Sequence, residues 1–153
     1  MGAFIKTSFI LQATGTILVF CLEYYVWPSH PWMLPDGTID EAARQLTYRE
    51  ATTTAFIQAA LFELFVAWNC RSEKRSVWRM GRKAFQNKFF VTADLASVAL
   101  TLGITYIPIT QQLFHLTELS ITDLAYVIGV ASWGLLIFPE ITMGKSLEMA
   151  LVF

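Results

Sequence analysis

The chain has 153 residues, of which 55% are hydrophobic and 15% charged, and its formal net charge is -1. So few charges exclude an ordinary water-soluble domain, and the near-zero balance gives no reason to expect a nucleic-acid partner. The composition predicts an all-α polytopic membrane protein: one membrane domain over 1–153, a bundle of four transmembrane helices with the lipid bilayer as its main solvent.

The first predicted span runs from Phe4 to Trp27. It lacks a small-residue cleavage site and meets a Trp/Pro belt, so it is expected to be retained and not removed as a signal peptide. At about 3.6 residues per turn, Ser8, Gln12, Gly15, Thr16 and Glu23 fall on one broad face, with Glu23 near the outer boundary. Pro28, Pro31, Pro35 and an Asp36-Gly37 turn forbid further helix and open an outer loop over 28–50. Tyr24, Tyr25, Trp27 and Trp32 edge that loop as aromatic belts edge a membrane.

The second span, Ala51 to Trp68, carries one carboxylate, Glu63. A charge at bilayer depth costs about 2.5 to 3.5 kcal/mol on insertion scales, so it is rarely kept without a partner or a task. Glu63 shares its stripe with Thr52, Ala59, Ala60, Ala67 and Cys70, whereas Phe62, Phe65 and Trp68 point elsewhere. Small residues mark close helix contact, so Glu63 is expected to face protein or a hydrated cavity.

The loop over 69–88 holds seven of the eleven Lys and Arg residues (Arg71, Lys74, Arg75, Arg79, Arg82, Lys83 and Lys88) against one acid, Glu73. The positive-inside rule makes this loop cytoplasmic, and an even number of spans then places both termini there too, in agreement with Lys6 and Lys145. The third span, Phe89 to Ile109, aligns Asp94 with Ser97, Thr101 and Thr105. A second outer loop over 110–123 follows. The fourth span, Leu124 to Ile141, spaces Ala125, Gly129 and Ser132 along one side and has Pro139 near its end.

Neither histidine has metal-ligand spacing; His30 and His115 read as surface residues of the outer loops. Cys21 and Cys70 lie on different helices without a CxxC spacing, which removes thiol–disulfide chemistry and predicts free, packed thiols. Glu63 and Asp94, with the hydroxyls and amide beside them, are oxygen ligands suited to a hard cation such as calcium or magnesium. The alternative is that Gln, Thr or backbone groups of neighbouring helices satisfy both acids, which then only fix packing.

Thr53-Thr54-Ala55-Phe56, Glu63, Asn69, Ser72-Glu73 and Arg79-Met80-Gly81 take, without a gap, the places of the eighth-helix pattern of type II cation-transporting P-type ATPases. The chain resembles the C-terminal membrane region of that family, its seventh to tenth helices, over nearly its whole length, and Phe138-Pro139-Glu140-Ile141 is similar to the turn that closes the tenth. The resemblance implies that Glu63 takes the position of a cation ligand in calcium pumps. Asp94 is about one turn from the acidic position of the ninth helix and inherits no role. Its polar stripe with Ser97 and Thr101 predicts a proton path or an accessory cation site.

The resemblance has gaps. There is no DKTGT phosphorylation motif, no TGES-like loop, no nucleotide-binding domain and no counterpart of the fifth and sixth helices. Asp36-Gly37-Thr38-Ile39-Asp40 is an outer turn. By itself this stretch is not expected to be an enzyme, and it holds no cofactor; ATP and magnesium belong to other domains. One carboxylate cannot supply the six to eight oxygens calcium prefers. The expected function is therefore a membrane module that braces a pump's transport core and lends Glu63 to a cation site completed by other helices, with the remaining domains or subunits as partners. Two other readings stay open: a stand-alone regulatory or assembly subunit, and a small proton-coupled cation exporter, against which the outer loop of about 23 residues counts.

Overall fold

A computed structural model describes residues 2–28, 30–70 and 81–136. Among these residues the architecture is all-helical, apart from one isolated β-bridge between Met33 and Ile39. Helix α1 (Gly2–Cys21) continues into a π-helical turn over Leu22–Val26, closed by the Trp27 amide on the Leu22 carbonyl at 2.9 Å. Pro28, which has no amide hydrogen, follows directly and cannot prolong the ladder.

The connection that follows is short and ordered. The Gly37 amide bonds the Leu34 carbonyl at 2.9 Å, and Gly37 takes φ of 82°, a left-handed conformation that favours glycine. Asp40 then accepts from the amides of Ala42 and Ala43 at 3.0 and 3.2 Å, a side-chain cap on the first free amides of a helix. Helix α2 accordingly begins at Glu41 and runs to Cys70, 30 residues in all. The expected outer loop over 28–50 is corrected: its last ten residues are helix. At about 1.5 Å per residue α2 is about 45 Å long, so it crosses a core of about 30 Å and extends well beyond it.

The Arg71–Met80 part of the basic loop lies outside the described residues. Asn87 caps α3 (Lys88–Tyr106) by accepting from the Phe90 amide at 3.2 Å. The helix stops before the expected Ile109 because Pro108 starts a new one, α4 (Pro108–Phe114), ended by His115 at φ 55°. A capping box between Ser120 and Asp123 starts α5 (Ile121–Ala131), which tightens into a 3-10 turn over Ser132–Leu136. The remainder of the expected fourth span, to Ile141, falls outside the described residues.

Three helical stretches, Ile5–Val26, Glu41–Cys70 and Lys88–Tyr106, are long and apolar enough to cross a membrane, and Ile121–Leu136 forms a shorter apolar segment. Helix α2 is the centre of the bundle: 44% of its apolar window is buried, against 11% for the first stretch and 6% for α3. Val19, Ile57, Leu61, Phe62, Leu119, Val127 and Ala131 form the core between α1, α2 and α5. Phe9, Ile17, Phe89, Leu95 and Leu100 are exposed, as lipid-facing side chains are in a multi-pass membrane protein.

Candidate functional site

The contact face of α2 is lined by polar residues as well as apolar ones. Thr47, Ala51, Thr54, Gln58, Leu61 and Asn69 are all buried. They recur at steps of three or four residues as far as Leu61, with Asn69 eight residues on, and so follow one side of a helix. Each polar member has a bond that spares lipid an unpaired group. Thr47 donates to the His30 carbonyl at 2.7 Å, and Gln58 accepts from the Thr16 hydroxyl at 2.7 Å. Asn69 donates to the Gly134 carbonyl at 3.0 Å. Beside this row, the Thr53 hydroxyl accepts from the Thr117 amide at 3.1 Å. One atom is left over: the Gln58 amide nitrogen is buried and has no hydrogen-bond partner.

This arrangement corrects the expected contact faces. The tight approach is made at Gly134, where an added Cβ would lie 3.0 Å from the Phe62 carbonyl oxygen. The Glu63 stripe of small residues is not the tightly packed face. Phe62, expected to point away, is fully buried, and Glu63 is exposed. On α5 the packed residues are Val127 and Ala131, while Ala125 and Gly129 are exposed. On α1 the expected polar face does turn inward: Gln12, Gly15, Thr16 and Glu23 all meet α2 or α5.

Glu63 stands on the edge of α2 that faces α1. Its Oε1 accepts from the Gln12 amide at 3.0 Å. The two residues line a groove of about 290 Å3 together with Ser8, Phe62, Val66 and Cys70. Its polar atoms near the carboxylate are oxygens and an amide, a donor set that suits a hard cation but is far too small to enclose one. Among the described residues no three His, Cys, Asp or Glu side chains come together as a metal-binding group.

Asp94 is placed elsewhere. Its Oδ2 accepts from the Trp68 indole at 2.9 Å, a contact that ties α3 to α2. Trp68 is five residues beyond Glu63, which puts it well around the helix, so the two carboxylates do not share a site. Along the Asp94 stripe, Ser97 donates to the Ala93 carbonyl at 2.9 Å and Thr105 to the Thr101 carbonyl at 3.4 Å. These hydroxyls serve their own helix backbone.

A third acid, Glu23, was expected only near the outer boundary. It is 1% exposed, and its Oε2 accepts from the Tyr126 hydroxyl of α5. The π-helical turn around Glu23 holds it within the bundle. No sequence signal joins two residues 103 positions apart. His30 pairs with Glu50 at 3.4 Å, His115 is exposed, and Cys21 and Cys70 are both free.

Comparison with known proteins gives this geometry a family. Residues 1–142 match the family described as "Cation transporting ATPase, C-terminus". The human "Calcium-transporting ATPase type 2C member 1" is 32% identical over 128 residues, which is 84% of this chain and 12% of that protein. "Calcium-transporting ATPase 1" of Yarrowia lipolytica is 29% identical over 123 residues, 80% of this chain and 11% of the relative. A "Calcium-transporting ATPase" of Bacillus subtilis is 32% identical over 122 residues, 80% of this chain and 12% of that protein. The chain therefore spans only about an eighth of the relatives it matches. With a match over most of its length and an all-helical membrane bundle, the chain belongs to the family of cation-transporting ATPase C-terminal domains.

Proposed function

We propose that this bundle is the C-terminal membrane module of an ATP-driven calcium pump. It braces the transport core and contributes the Glu63 carboxylate to a calcium site completed by helices from the rest of the pump. The observation that carries the reading is the position of Glu63: exposed on the bundle, within the apolar part of α2, and bonded by the amide of Gln12. A carboxylate left in lipid is costly, so a surface that exposes one at that depth calls for a covering group or ion. The matched proteins named as calcium-transporting ATPases supply the ion by analogy.

In this reading ATP and magnesium act in domains outside the matched region, and calcium is cargo. The 69–88 loop and both termini face the cytoplasm. Asp94, engaged by Trp68, holds α3 on α2 and ligates no ion.

The test uses the complete pump polypeptide in membranes and reads the calcium dependence of phosphorylation from ATP. Glu63→Gln keeps the shape and the bond to Gln12 but removes the charge. The calcium concentration for half-maximal phosphorylation is expected to rise roughly tenfold or more, the loss of about one charge-assisted contact. An unchanged calcium dependence, with normal protein levels, would remove Glu63 from the site.

A further inference from the structure

At the end of the bundle that carries the 28–40 connection, the first ten residues of α2 stand beyond its apolar stretch. Glu41, Arg44 and Tyr48 follow one side of this extension at steps of three and four residues, with Arg49 next to Tyr48. Together with Tyr24 from the π-helical turn after α1 and His115 from the end of α4, they line a pocket of about 530 Å3. Three separate elements thus converge on one opening, and its character is two-sided.

One wall is aromatic and fixed. Tyr24 stacks on Trp32 at 5.5 Å between ring centroids and meets Tyr48 edge-on at 6.5 Å. Phe20 backs Tyr24 at 5.8 Å, and the Trp32 indole donates to the Tyr24 carbonyl at 3.2 Å. The other wall is cationic. Arg44 is aimed by two contacts: its Nε donates to the Tyr24 hydroxyl at 3.2 Å, and its Nη1 pairs with Glu41 at 3.2 Å. Arg49 is exposed, and its guanidinium has no partner among the described residues. Two guanidinium groups face one carboxylate, so the pocket keeps an excess positive charge.

Depth selects the ligand. Arg49 lies two residues and Arg44 seven residues before Ala51, about 3 and about 10 Å along the helix axis. The polar layer on each side of a bilayer is about 5 to 8 Å thick, so the Arg49 backbone lies within it and the Arg44 backbone just beyond it, from where its long side chain, bonded to the Tyr24 hydroxyl, reaches back to the level of lipid phosphates. A ligand that is anionic at its head and apolar just below matches both walls, and arginine is the side chain suited to bidentate phosphate contact.

We propose that this pocket is a specific seat for an anionic phospholipid, with its phosphate between Arg44 and Arg49 and its glycerol and upper acyl chain against Tyr24 and Tyr48. Glu41 opposes the phosphate for the use of Arg44, so it weakens the seat that the arginines build. A bound lipid would splint the outer extension of α2 to the end of α1.

The experiment is native mass spectrometry of the complete polypeptide, released from micelles that contain phosphatidylglycerol, with the fraction carrying one retained lipid as readout. Arg49→Gln breaks no observed side-chain contact and so preserves the fold; it should lower retention roughly tenfold, the weight of about one charge-assisted hydrogen bond. Arg44→Gln with Arg49→Gln should abolish retention, and Glu41→Gln should raise it. Retention equal to wild type in Arg49→Gln, or lower retention in Glu41→Gln, would overturn the proposal. Phosphatidylcholine retained as well as phosphatidylglycerol would overturn the requirement for net negative charge. Displacement of the lipid by millimolar inorganic phosphate would assign the seat to a soluble anion and overturn the lipid source.

Discussion

The close approach of the 132–136 turn to the α2 backbone gives a sharp test of how α2 and α5 are held together. Gly134 is buried, and a Cβ at that position would lie 3.0 Å from the Phe62 carbonyl oxygen, 3.1 Å from Val66 Cγ2 and 3.2 Å from Phe65 Cβ. Ordinary contact begins at 3.4 Å, so each distance must lengthen by a few tenths of an ångström. The first neighbour is backbone of the central helix and cannot turn aside as a side chain can. Gly134→Ala must therefore move the 132–136 turn outward or strain α2, at about 1 to 3 kcal/mol for overpacking a filled site. The same movement lengthens the 3.0 Å bond from Asn69 to the Gly134 carbonyl, and an interhelical bond of this kind contributes about 0.6 kcal/mol on average in a membrane. Unfolding by denaturing detergent in mixed micelles, followed by far-UV circular dichroism, measures both variants. Gly134→Ala should cost about 2 kcal/mol, Asn69→Ala less, and the double variant less than their sum, because both act on one contact. A Gly134→Ala protein within about 0.5 kcal/mol of wild type would refute the close packing.

Three further outcomes are expected. Tyr126→Phe removes a donor from the buried Glu23 carboxyl and should cost about 1 to 3 kcal/mol, with a much smaller cost in a Glu23→Gln background; equal costs in both backgrounds would show that the two groups are uncoupled. Gln58→Met gives up the bond from Thr16 but also the unpartnered amide nitrogen; since the orphan costs more than one interhelical bond contributes, unfolding should show no loss of stability, and a loss above about 1 kcal/mol would refute the orphan. The hydroxyl and amide of Thr38 hold the Asp36 carboxyl below its ordinary value. The ordered turn is therefore retained as pH falls through the unfolded value of about 3.9 and is lost only as pH passes the lower folded value. The Thr38 amide resonance should titrate below about pH 3.9 and shift its midpoint upward when Thr38 becomes Ala; a wild-type midpoint at or above that value contradicts the turn.

The helices themselves were legible because lipid requires long apolar segments, and Ile5–Val26, Glu41–Cys70 and Lys88–Tyr106 meet that requirement. The start of α2 was less so. Four charged residues between Glu41 and Glu50 read as loop, although Asp40 followed by Glu41 and two alanines is a helix-start signal that could have corrected it. The packed faces were harder still. Small residues beside Glu63 suggested close contact there, but the true face is set by Gly134, which belongs to a turn 65 residues beyond its partner Asn69. In lipid, polar and small residues both favour helix contact, so a stripe of alanines and a stripe of Thr, Gln and Asn compete, and only the third dimension decides between them. The Glu23 site follows the same logic, since its partner is a phenol on α5 and its inward aim depends on a π-helical turn.

The way polar groups are distributed separates two tasks within one helix. On the inner face of α2, Thr47, Gln58 and Asn69 bond to α1, to the 28–40 connection and to the turn after α5, and so join elements far apart in sequence. These side chains are buried and carry no net charge to attract an ion. Glu63, on a different edge, has the opposite character: its carboxyl lies in the apolar part of α2, is exposed, and among the described residues is bonded by Gln12. A rigid inner face fixes the rotation of α2, and that rotation decides which way Glu63 projects. Strain introduced at Gly134 would accordingly reach the carboxylate through the helix that carries both Phe62 and Glu63, without any direct contact between Gly134 and an ion.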